Sequence, residues 1–193
     1  EAALYGSQVA ALFNQVQLTE TGADFSCTSL GNDPVGLASP VTMRGVTAAY
    51  LFANTLVVLE VTEEVLRQTM ERCAAYFTLV DGQPQISEEF LLPKVEHYNY
   101  DFYAGLSYTF DLRRPVGSRV IRLAKLDGSP LGSGKFRLCT SNYRATGTGG
   151  YDALRKCPVL WRGGVEMPDL TARYIQTHSP VPQLHNAEMR VIW

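Results

Sequence analysis

The sequence predicts an α+β domain, and three observations predict it. Apolar side chains recur at helical spacing in two stretches, Val9, Leu12, Phe13 and Val16 near the start, then Val65, Leu66, Thr69, Met70, Cys73 and Phe77. Residues 54–61, 105–112 and 119–126 are instead β-branched, aliphatic or alternating, as half-buried or buried strands are. Asp81-Gly82 and Asp127-Gly128 carry the turn chemistry that joins such segments by short connections. A helix followed by strands occurs in both halves of the chain.

Taken in order, the opening helix ends before Gly22, a short strand occupies 23–28, and 31–36 is a loop rich in Gly, Asn, Asp and Pro. Residues 42–51 show no single period. The strand at 54–61 is rich in β-branched and aliphatic residues, and Thr62 caps the helix after it, with Glu63 and Glu64 placed at that helix's positive end. Residues 88–100 are again mixed. The strand at 105–112 turns at Pro115 and Gly117, and 119–126 pairs back antiparallel. A further strand, in which Phe136, Leu138 and Thr140 alternate, completes a meander and delivers Tyr143. A helix at 170–177 and a last strand at 187–193 close the domain.

The 193 residues, 46% of them hydrophobic, suit one domain over 1–193 with its own core. A net charge of −2 provides no broad basic field for duplex nucleic acid or an anionic membrane. Arg113, Arg114, Arg119 and Arg122 form one local basic cluster, read as solvated hairpin surface. No apolar run approaches the roughly 18 residues of a membrane span. Cys27, Cys73, Cys139 and Cys157 lack a C-x-x-C spacing, which disfavours zinc and suggests buried thiols. Cys139 and Cys157 flank the glycine loop, so an oxidising compartment would permit a bridge between them.

The stretch from Thr140 to Tyr151, Thr-Ser-Asn-Tyr-Arg-Ala-Thr-Gly-Thr-Gly-Gly-Tyr, passes abruptly from strand to glycines, with Tyr143 at the switch. Tyr143 is either a platform for a flat ligand or an aromatic packed on the core. Together with Phe52-Ala-Asn-Thr-Leu-Val-Val-Leu, the strand from Gly105, the turn at Asp127-Gly128 and the Asn-Tyr-Asp-Phe run at 99–102, it resembles the C-terminal domain of the 5'-nucleotidase family. Within that family it looks most similar to the 2',3'-cyclic-nucleotide 2'-phosphodiesterase/3'-nucleotidase branch.

The resemblance implies α/β/β/α layers with two structural repeats, and an extracytoplasmic hydrolase that is periplasmic, secreted or cell-wall associated. It implies a second, N-terminal metallophosphoesterase domain of the same polypeptide, holding two divalent metal ions and absent from this chain. The C-terminal domain then receives a nucleoside or nucleotide. Phe52 and Tyr143 match the two aromatics that sandwich the base, and Asn54 matches an amide that contacts it. Asn142, Gly147 and Gly149 belong to the same motif and join them as candidate substrate-binding positions. Two departures stand out. Gly149 lies where many 5'-nucleotidases have an aspartate for the ribose hydroxyls, and the 31–36 loop lacks their glycine-rich arginine motif.

No catalytic residue, metal ligand or cofactor is assigned to this chain. A two-metal phosphoesterase needs several Asp, His and Asn ligands around ions roughly 3.5–4 Å apart, whereas His97, His178 and His185 lie scattered. Ser107 and Ser141 lack a nucleophile elbow. Three readings follow: the recognition domain of a nucleotide hydrolase, a free-standing nucleoside-binding module, or a cell-surface structural domain that has lost its pocket.

Overall fold

The computed structural model describes residues 1–182, 184 and 189–193. In chain order the elements are α1 (Ala2–Tyr5), α2 (Gln8–Thr21), β1 (Phe25–Ser29), α3 (Met43–Ala49), β2 (Thr55–Val61), α4 (Glu63–Ala74), β3 (Phe77–Val80) and β4 (Gln83–Ile86). They continue with β5 (Asp101–Ala104), β6 (Leu106–Asp111), β7 (Val120–Lys125), β8 (Phe136–Ser141), α5 (Asn142–Ala145), α6 (Asp152–Arg155), β9 (Val159–Glu166), α7 (Met167–Thr177) and β10 (Met189–Ile192). Ala187 and Glu188 of the strand predicted at 187–193, and His185, lie outside the described residues.

The α+β class holds. The strands form a five-stranded sheet in the order β5-β1-β8-β2-β9, a three-stranded sheet β10-β6-β7 and the β3-β4 hairpin. One expectation is corrected here: β8 does not extend a meander from β7. It inserts between β1, to which it is parallel, and β2, to which it is antiparallel. Alternation and turn residues define a strand's faces and ends, but they do not name its neighbours.

The five-stranded sheet is covered on both faces, which is why Leu56, Val57, Val58 and Leu59 are all apolar and all buried. α2 lies on one face. Its Asn14 accepts from the Ser26 hydroxyl (2.7 Å) and donates to the Phe102 carbonyl (2.9 Å), satisfying three buried polar groups. The opposite face presents Cys27, Tyr103 and Asp101, and there α4 meets β5, the Asp101 N–H donating to the Cys73 sulfur at 3.2 Å. A single residue, Gly105, carries the chain from β5 into the other sheet at φ 87°, and a Cβ there would collide with the Asp24 carbonyl.

α4 begins as predicted, with the Thr62 hydroxyl accepting from the Val65 N–H at 3.4 Å, a cap worth about 1 kcal/mol. Leu66, Thr69, Met70 and Cys73 are its buried face, but the helix stops at Ala74 and Phe77 opens β3 instead. Arg119 corrects the picture of a solvated arginine cluster. It is buried, and its guanidinium donates to the carbonyls of Ala74 (2.8 Å), the last residue of α4, and Phe77 (2.6 Å) just beyond it. A cation there satisfies carbonyls the helix leaves open and complements its dipole.

The Cys139–Cys157 bridge is not formed. All four cysteines are free, Cys139 donating to Gln17 Oε1 (3.5 Å) and Cys157 to the Ala153 carbonyl (3.4 Å). Burial pushes the Cys73 and Cys139 thiols up to about 12, so both stay protonated and poorly reactive. Thiol titration of the unfolded, unreduced chain is expected to find four thiols per chain, and the folded chain to react first at Cys157, the least buried. A titration finding two thiols would contradict this arrangement.

Candidate functional site

A row of aromatics leads from the core to the surface at the start of β2. Phe13 of α2 meets Tyr50 edge-on at 5.0 Å between ring centroids, Tyr50 meets Phe52 at 6.2 Å, and Phe52 meets Tyr98 at 6.2 Å. Edge-to-face contacts of this kind add about 0.5–1.5 kcal/mol each beyond area burial, so Phe52 is fixed by its neighbours. Burial pushes the Tyr50 phenol up to about 12, and it remains a neutral group bonded to the Asn54 amide at 3.4 Å.

At the outer end of this row lies a cavity of about 400 Å³ lined by Ser29, Phe52, Asn54, Lys94, Tyr98 and Tyr143. That size is at the lower end of small-molecule sites. Phe52, Asn54 and Tyr143, singled out in the sequence, therefore open onto one space although Tyr143 comes from the other half of the chain. Tyr143 is 37% exposed. Three aromatic rings, two of them tyrosines, with one amide and the Ser29 hydroxyl can stack a flat ring and hydrogen-bond its edge.

Tyr143 is held at this rim by the one-turn helix α5. The Ser141 hydroxyl accepts from the Arg144 N–H at 3.1 Å, and the Thr55 N–H donates to Asn142 Oδ1 at 3.1 Å. Asn142 thus ties the Tyr143 segment to β2 and is not among the residues lining the cavity. Gly147 and Gly149 are not among them either. Gly149 has φ 82°, and a Cβ there would collide with Asn99 Oδ1 and the Arg144 guanidinium. The aspartate that the resemblance would place at this point has no room in this loop.

Arg144, the residue the sequence did not single out, explains the crowding. It is 2% exposed and forms a two-pronged ion pair with Asp101, both contacts at 2.8 Å. It also donates to the carbonyls of Thr148 (2.7 Å) and Tyr98 (2.9 Å), and it lies 4.0 Å from the centre of the Tyr151 ring. Burial is the largest influence and opposes its charge, but the Asp101 carboxylate together with the neighbouring Tyr151 and Cys27 holds the guanidinium above its ordinary range. One buried cation therefore binds the segment carrying Tyr98 to the segment carrying Tyr143. The Arg72 guanidinium of α4 secures the same loop by donating to the Gly149 carbonyl at 2.8 Å.

Ser29, at the end of β1, and Tyr98 and Lys94 are the lining residues that sequence reasoning missed. Tyr98 and Lys94 lie in the stretch without a clear period, and the Asn-Tyr-Asp-Phe run beside them was the available signal. Among the described residues no group of three or more His, Cys, Asp or Glu side chains is placed to hold a metal ion. The described residues do not fit a two-metal centre. No described helix is long and apolar enough to cross a membrane.

The model of the 5'-nucleotidase C-terminal domain family matches residues 3–156. Over 148 residues the chain is 29% identical to the 2',3'-cyclic-nucleotide 2'-phosphodiesterase/3'-nucleotidase of Haemophilus influenzae, covering 67% of this chain and 22% of that protein. Over 151 residues it is 26% identical to the trifunctional nucleotide phosphoesterase YfkN of Bacillus subtilis, covering 72% of this chain and 10% of that protein. The chain thus spans less than a quarter of either relative. Among solved structures, a Staphylococcus aureus protein described as a 5'-nucleotidase superposes with a TM-score of 0.92 and 32% identity, over 100% of this chain and 38% of that one. A 5'-nucleotidase precursor from Thermus thermophilus, at 22% identity and a TM-score of 0.77 over 100% of this chain and 36% of its own, shares the fold.

Proposed function

Because the chain belongs to the 5'-nucleotidase C-terminal domain family, we propose that it is the substrate-recognition domain of a nucleotide hydrolase and takes a nucleoside or nucleotide into the aromatic cavity. On this reading the base lies between Phe52 and Tyr143, with the Asn54 amide at its edge. The observation that carries the reading is the convergence of these three side chains, from two segments far apart in the chain, on one cavity. Stacking is worth about 1–3 kcal/mol per base and tolerates any base, because every base has a π-face. The Asn54 amide can donate and accept, so it suits purines and pyrimidines alike. The cavity therefore binds free nucleosides weakly, with little preference among bases.

The hydrolytic chemistry belongs, on this reading, to an N-terminal metallophosphoesterase domain with two divalent ions, in a protein acting outside the cytoplasm. That assignment rests on the family resemblance and on the lengths of the relatives. The chain's own residues bind and orient the nucleoside. With divalent metal added, it is expected to show no phosphodiesterase or nucleotidase turnover above buffer. Metal-dependent release of phosphate or nucleoside that survives repurification would overturn this division of labour. A thermal shift on adding nucleosides tests the pocket itself, and a structural domain without a pocket would show none.

A further inference from the structure

We infer that Lys94 makes the aromatic cavity select phosphorylated nucleosides over nucleosides. The inference rests on the base-stacking reading of the same cavity. Of its six described lining residues, Lys94 alone carries a charge; the others are a hydroxyl, an amide and three aromatics. Stacking acts on the base and is indifferent to phosphate on the ribose, so rings and amide together leave a nucleoside and its monophosphate nearly equal. The chain as a whole, at −2, does not attract anions. Any preference for a phosphate must come from a local cation.

Lys94 is placed for that role by the segment that carries Tyr98. Its ammonium lies 3.3 Å from Glu96 Oε1. Glu96 is itself held, accepting from the Tyr98 hydroxyl (3.2 Å) and from Asn99 Nδ2 (2.7 Å). Tyr98 and Glu96 raise the proton affinity of the ammonium, which keeps it charged. An ammonium has three donors, and the single contact to Glu96 leaves donors for a ligand. The Lys94 side chain is 69% exposed, so the contact to Glu96 is weak, and a phosphate can compete for the cation. Tyr98 also stands edge-on to Phe52, so one segment connects the stacking ring to the charge.

The test is calorimetric titration of the chain, Lys94→Gln and Lys94→Arg with adenosine, its 3'- and 5'-monophosphates and inorganic phosphate, at low and high salt. At low salt one or both monophosphates are expected to bind about 5–10-fold tighter than adenosine, the gain of a single charge-assisted contact. Lys94→Gln brings that ratio to near one, Lys94→Arg retains it, and high salt narrows it in the parent. Inorganic phosphate, having no ring, does not displace the monophosphate. A ratio unmoved by Lys94→Gln, or displacement by phosphate alone, would overturn the inference while adenosine binding still upheld the stacking reading. If neither adenosine nor a monophosphate binds the parent, both fall together.

Discussion

Arg144→Met is expected to lower the unfolding free energy by about 3–5 kcal/mol, the cost of leaving one member of a buried ion pair without its partner. The variant strands the Asp101 carboxylate, 2% exposed, against β1 and α4, and it removes the donor from the Tyr98 and Thr148 carbonyls. Denaturant unfolding measures the loss. The double variant Arg144→Met with Asp101→Leu should recover part of it, since replacing both charges by apolar groups removes the stranded carboxylate, although the two carbonyls stay unsatisfied. An Arg144→Met variant within about 1 kcal/mol of the parent would show that water reaches the pair and that it does not hold the two segments together.

The second large effect falls on binding. Phe52→Ala and Tyr143→Ala are each expected to weaken nucleoside or nucleotide binding by about 1–3 kcal/mol, the range for loss of one base–aromatic stack. Their effects on stability should differ. Tyr143 is more than a third exposed, so its truncation leaves the unfolding midpoint nearly in place. Phe52 stands between Tyr50 and Tyr98, and its truncation should also destabilise the chain by about 1–3 kcal/mol through two lost ring contacts. Fluorescence or calorimetric titration with unfolding curves on the same samples separates the two contributions. Alanine variants that bind as tightly as the parent would remove both rings from the site.

Local signals in the sequence were read well wherever the local environment decides structure. The stop at Gly22, the cap at Thr62 and the apolar run of β2 are properties of neighbouring residues, and each stands in the structure where expected. What was not legible depends on partners far along the chain. Arg144 and Asp101 are 43 residues apart, and nothing in either segment announces that a two-pronged pair joins them. Arg119 sits among other arginines, and only the folded α4 gives it buried carbonyls to bond. β9 went unread because nearly all its residues are exposed and Gly163 and Gly164 interrupt its pattern. α3 lay within the mixed stretch at 42–51. In the site, the family motifs pointed to Phe52, Asn54 and Tyr143, whereas Tyr98 and Lys94 come from a segment whose irregular backbone has no period to read.

The most direct test of the account is where a nucleoside base lies when it binds. NMR of the chain saturated with adenosine 3'-monophosphate should give intermolecular NOEs from the adenine protons to the rings of both Phe52 and Tyr143, with shifts at the Asn54 side-chain amide. NOEs to one ring alone, to residues away from this cavity, or to none under conditions where the ligand is bound would contradict a base held between the two aromatics.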